Sequence, residues 1–156
     1  MTEHHEPTGV NTALVGSSYP EEGVFRVGAE HIASFAEATG ASSPLHTDRG
    51  AARAAGYPDV VAPPTFAVVV AQRAEGAYIS DPEAGIDFSR VVHGEEHFAH
   101  TRPIVAGDEL STTVHVESVT QRAGMDIVTT RSEIVDAEGA HVASVTSTLV
   151  VRGADS

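Results

Sequence analysis

Cysteine and lysine are both missing from the 156 residues. Without cysteine there is no thiolate nucleophile, zinc–cysteine cluster, iron–sulfur site or disulfide scaffold. Without lysine there is no Schiff-base mechanism. All nine cations are therefore Arg, set against 22 acidic residues, for a formal net charge of −13. Such a chain is a poor partner for nucleic acid or an anionic membrane. No run approaches the ~18 apolar residues of a membrane span, and the opening MTEHHEPTG has neither a basic n-region nor an apolar h-region, so cytoplasmic residence is the expectation. With 41% hydrophobic residues and one domain's length, a single folded core is expected.

Residues 1–19 are polar and turn-rich and read as a loose arm or loop, with the folded domain over 20–153. Ile32, Phe35, Ala36 and Ala38 recur at helical spacing ahead of Gly40, predicting a short amphipathic helix over Ala29 to Thr39. A turn-rich loop carrying His46 follows, and Asp48 is placed to N-cap a small-residue helix ending at Gly56. Pro63-Pro64 opens Thr65 to Glu75, apolar all round, which reads as a buried helix, although its β-branching would also suit a strand. Four runs rich in Val, Thr and Ile, near 91–104, 109–121, 125–136 and 141–152, are separated by Gly-containing turns at 106–108, 122–124 and 137–139 and predict an antiparallel meander. The fold class is thus α+β: one helix against the concave face of a curled antiparallel sheet.

Nine His invite a metal reading. On a regular strand His93 and His97 share a face while His100 points away, so the three do not converge and no metal is assigned.

Three segments, in order, carry a resemblance. Phe35-Ala-Glu-Ala-Thr-Gly-Ala-Ser-Ser-Pro-Leu-His-Thr-Asp48 resembles the hydratase motif of the MaoC-like (R)-specific enoyl-thioester hydratases and dehydratases, F-A-x-x-[ST]-G-D-x-N-P-[IL]-H-x-D. Gly56 to Phe66 resembles the entry to that family's central hot-dog helix, and Phe98 to Leu110 its F-x-x-P-V-x-x-G-D-x-L strand and turn. Together with Asp87-Phe-Ser-Arg-Val-Val-His-Gly94, they are most similar to the actinobacterial branch that includes the A subunit of 3-hydroxyacyl-acyl-carrier-protein dehydratase.

The resemblance implies a single hot-dog domain, no metal or redox cofactor, an acyl-coenzyme A or acyl-carrier-protein thioester as substrate, and pairing as a homodimer or with a second, catalytic hot-dog chain. It also implies reversible elimination of water, with an Asp and a His from one loop and a backbone N–H at the start of the central helix. His46 matches. The Asp position is Ala41, the Asn position is Ser43, and Pro64, which has no N–H, stands where the family usually has Gly. Glu37 or Asp48 is a candidate substitute for the lost carboxylate. The expectation is a substrate-holding chain whose partner supplies the Asp/His pair; the alternative is a non-catalytic acyl-thioester-binding or assembly protein. Thr65 and Phe66 are candidates at the thioester and acyl chain, against a plain role as helix start and core. Arg49 and Arg53, spaced i, i+4, and Arg102 are candidates for phosphate, against plain surface ion pairing. Arg90 is a further one.

Overall fold

The computed structural model describes residues 9–153. Six antiparallel strands carry the fold: β1 (Ser18–Pro20), β2 (Phe25–Arg26), β3 (Val91–His100), β4 (Glu109–Arg122), β5 (Met125–Val135) and β6 (His141–Arg152). The spatial order is β1-β4-β5-β6-β3, with β2 paired to the start of β4. Strict alternation decides which face is inside. On β5 Val128, Thr130, Ser132 and Ile134 are fully buried, and on β6 Ala143, Val145, Ser147 and Leu149 are. Val114 and Val116 of β4 complete that face, while Thr113 and His115 stay half-buried on the other.

Three helices accompany the sheet: α1 (Ala29–Thr39), α2 (Arg49–Ala54) and α3 (Ala67–Ile79). Helix α3 lies against β4, β5 and β6 and buries Ala67, Val70, Ala71, Ala74, Glu75 and Tyr78. The predicted α+β architecture, a curled antiparallel sheet around one central helix, is the observed one, and the Val-rich segment is helical. Its limits differ from the expectation. A 3-10 turn occupies Pro64–Phe66, and the helix continues through Gly76 to Ile79. Glycine in a helix costs about 1 kcal/mol; burying Ala74 and the Tyr78 ring outweighs it.

Two further expectations change. Within the described part of the 1–19 arm, the chain is packed: Val10 is buried, its amide donates to Asp126 Oδ2 at 2.9 Å, and β1 pairs with β4. Residues 1–8 lie outside the described residues. In β3 the register shifts between His93 and Glu95, so the strand is not regular across Gly94. The expected shared face of His93 and His97 is therefore corrected: the bulge puts His93 beside Glu96, Nδ1 to Oε1 3.2 Å. His100 is on the Glu96 face as well, and its Nε2 donates to the Pro64 carbonyl at 2.9 Å. Among the described residues no group of three or more His, Asp or Glu is placed to hold a metal ion.

Candidate active site

The loop between α1 and α2 is built from local signals. Gly40 takes φ 72° at the C-cap of α1, a conformation open to glycine, and the Ala41 amide closes back on the Ala36 carbonyl at 2.8 Å. Ser43 then caps a 3-10 turn over Pro44–His46, its Oγ accepting from the Leu45 amide at 3.3 Å. Asp48 caps α2, with Oδ1 accepting from the Ala51 amide at 3.2 Å. Ser43 and Asp48, on either side of His46, are thus engaged in backbone capping.

Segment 60–62 holds this loop in place. The Val61 amide donates to the Leu45 carbonyl at 2.8 Å, and Ala62 and Val60 pair with Ile104 and Ala106. The His46 ring, half-buried, makes a 2.6 Å hydrogen bond from Nδ1 to the Val61 carbonyl. A carbonyl only accepts, so Nδ1 carries the proton and a neutral ring has Nε2 as its lone-pair nitrogen. Backbone geometry therefore fixes the tautomer of the neutral ring. Ala41 presents a methyl on the same loop.

Thr65 is exposed at the head of α3, its amide the first after two prolines. Phe66 is fully buried, with ring centroids 5.2 Å from His31, 5.5 Å from Phe35 and 6.2 Å from Phe25. Its place in the fold is the core under the site. Arg49 pairs with Asp59, Nε to Oδ1 3.2 Å, and keeps 58% of its side chain exposed. The Val60 amide and, more weakly, Arg49 and Arg53 hold the Asp59 carboxyl below the usual carboxylate range. Arg53 donates from Nε to the Pro58 carbonyl at 3.3 Å. Arg102 is turned away from this group: it grips Asp108 with two bonds, 2.8 and 3.2 Å, and reaches Asp136 at 3.6 Å. That fork ties the 106–108 turn to the 136–140 turn. Arg90 pairs with Asp87 at 3.2 Å.

The structure thus ties the His46 loop to Val61, four residues ahead of Thr65, and engages Arg102 as a turn clamp. A second polar group was not anticipated. Glu75 is fully buried in the middle of α3, accepting at Oε1 from Thr130 Oγ1 at 3.0 Å. Burial pushes its carboxyl above the usual range; Ser147 and Thr130 act in the opposite direction. Thr130 faces Ser147 and Ser147 faces Glu96 across neighbouring strands, and Ser147 Oγ donates to Glu96 Oε2 at 2.7 Å. The available signal was one carboxylate in a helix apolar on all sides.

A central helix wrapped by a curled antiparallel sheet is the hot-dog architecture. The family described as FAS1-like, dehydratase domain region, matches residues 13–145, and the chain belongs to it. A UPF0336 protein of Saccharopolyspora erythraea is 52% identical over 92% of each chain, and one of Clavibacter michiganensis 50% over 94% of this chain and 98% of that one. Among solved structures, a MaoC-like dehydratase superposes with TM-score 0.83 at 34% identity, covering 92% of this chain. This chain spans only 43% of that protein's length. The HadBC (3R-hydroxyacyl-ACP dehydratase) complex of Mycobacterium tuberculosis gives TM-score 0.80 at 30% identity over 88% of this chain and 96% of that one.

Proposed function

We propose that this chain is the substrate-holding member of an (R)-3-hydroxyacyl-thioester dehydratase, or 2-enoyl-thioester hydratase, acting with a second hot-dog chain that carries a complete Asp/His pair. The observation that carries this reading is the state of the His46 ring. Elimination of water needs two proton transfers, one from the α-carbon and one to the departing β-hydroxyl. With Nδ1 committed to the Val61 carbonyl, His46 offers a single nitrogen, and the loop position that would hold the second group is Ala41. Asp48, bound to the Ala51 amide, is spent as a cap. Pro64 offers no N–H to a thioester oxygen, which leaves the Thr65 amide as the donor at the helix head. Exposed Arg49 and Arg53 are placed on one helix face beside the loop, suited to the phosphates of coenzyme A or phosphopantetheine. The names of the 30%-identical HadBC complex and of the fold-level neighbour ChsH1-ChsH2 support a heteromeric arrangement.

The test is hydration of a short 2-enoyl-coenzyme A, followed by loss of the conjugated-thioester absorbance. The purified chain binds the thioester without turnover. Ala41→Asp raises hydration by orders of magnitude, and adding His46→Ala to it removes the gain. Turnover by the unaltered chain alone that His46→Ala abolishes would overturn the need for a partner. Failure to bind any enoyl thioester, alone or with a partner, would overturn the substrate class.

A further inference from the structure

Most of the arginines are engaged within the chain. Arg26, Arg49, Arg73, Arg90, Arg102 and Arg131 each pair with a carboxylate, and Arg53 donates to the Pro58 carbonyl. The side chains of Arg122 and Arg152 have no ion pair or hydrogen bond among the described residues, in a chain with 22 acidic residues. These two stand in one row of the sheet: Arg122 is opposite Met125, and Met125 is opposite Arg152. Residues directly opposite share a face, so the two arginines flank Met125 at two strand spacings, about 9–10 Å apart. Both line a cavity of about 650 Å³ at this end of the sheet. Arg90 lines it too, with 36% of its side chain exposed beside its Asp87 pairing. The two carboxylates in the wall are already held, Asp87 by Arg90 and Ser89, and Asp126 by the Val10 amide.

Backbone contacts fix the walls of this cleft. A Cβ on Gly153 would come within 2.5 Å of the Gly124 carbonyl oxygen, so the end of β6 and the β4–β5 turn meet through backbone alone. A Cβ on Gly85 would meet the Gly9 carbonyl oxygen at 2.6 Å, and the Asn11 amide donates to the Ala84 carbonyl at 2.9 Å. The stems of Arg122, Arg152 and Arg90 are thereby held in a set relation before any ligand arrives. We propose that this cleft binds a small aliphatic phosphate monoester, its dianion held by Arg122 and Arg152 with Arg90 as a third cation. Guanidinium forks match phosphate oxygens in pairs, and in a chain of net charge −13 a local cluster of unpaired cations is where a dianion is attracted. The described wall holds no aromatic ring on which a nucleobase could stack, which favours a small ester over a nucleotide. The assignment does not rest on the thioester reading, because no residue of the His46 loop, of α2 or of the head of α3 lines the cleft.

The experiment is isothermal titration calorimetry of the full chain with glycerol 3-phosphate at low ionic strength, with glycerol as the uncharged control. Glycerol 3-phosphate binds saturably at one site and glycerol does not. Arg122→Gln and Arg152→Gln each raise the glycerol 3-phosphate Kd about tenfold, the value of one hydrogen bond to a charged group, and together they abolish binding. Arg131→Gln, which removes a cation paired with Glu117 and Glu133 outside the cleft, leaves the Kd within twofold. No saturable binding up to millimolar concentration, binding that survives the double substitution, or an equal loss in Arg131→Gln would each overturn the proposal. Displacement of glycerol 3-phosphate by coenzyme A at equal or lower concentration would overturn the small-ester assignment and give the cleft to a nucleotide.

Discussion

Glu75 is fully buried on α3 against Thr130 of β5, and its protonation is therefore linked to folding. Burial raises its folded-state pKa above the ordinary value; Glu96 adds to that and His93 opposes it. A carboxyl with a raised folded pKa contributes stability while protonated and loses it as pH rises through that folded pKa, because the folded state then holds a proton that the unfolded state has released. The expected outcome is that Glu75→Gln, which is neutral at every pH, gains stability relative to the unaltered chain as pH rises above the ordinary Glu range. Urea unfolding midpoints at acidic and neutral pH measure it; an equal difference at both would show that Glu75 is not linked. At this scale the sequence was legible where the interaction is local. Asp48 as an N-cap and Gly40 as a helix stop follow from neighbours within four residues. The partners of Arg102 and His46 were not legible, because Asp136 and Val61 reach them only through the tertiary pairing of turns and extended segments.

Among elements, the β4–β5 hairpin shows where a local rule is broken and tolerated. Arg122 pairs with Met125 across a two-residue turn in which Ala123 has φ 52° and Gly124 φ 76°. Both central residues of such a turn need positive φ, which glycine and asparagine adopt easily and alanine does not. Ala123→Asn is expected to stabilise the chain by about 0.5–1 kcal/mol, raising Tm by about 1–4 °C for a domain of this size, as calorimetry would measure. The turn itself was visible in Arg122-Ala123-Gly124. The true end of α3 was not, since Gly76 reads as a break and only the burial of Tyr78 against β-sheet residues such as Val116 and Leu149 carries the helix past it. Similarly, nothing in the alternation of β3 announces the bulge at Gly94 that turns His93 toward Glu96.

Across the whole molecule, β3 is an edge strand ten residues long, with β6 on one side and, among the described residues, no strand on the other. Phe88, 68% exposed, and Val92, 46% exposed, lie at its start. A long edge with exposed apolar side chains favours pairing with another chain. The expected outcome is a particle of twice the 16.2 kDa chain mass in sedimentation analysis, reduced to the single-chain mass by Phe88→Asp with Val92→Asp. A monomer at micromolar concentration without those substitutions would leave a different hot-dog chain as the partner of this edge.

The sequence by itself determined the sheet's strands, the buried character of the central helix, the capping of the His46 loop and the family, because each rests on periodicity, turn chemistry or motif spacing within a short stretch. Tertiary structure alone decided the tautomer of His46, the withdrawal of Arg102 into a turn clamp, and the row Thr130, Ser147, Glu96 beneath Glu75. Those depend on strand register and on which groups lose water together, and residues 15 to 55 positions apart meet only once the sheet has curled around α3.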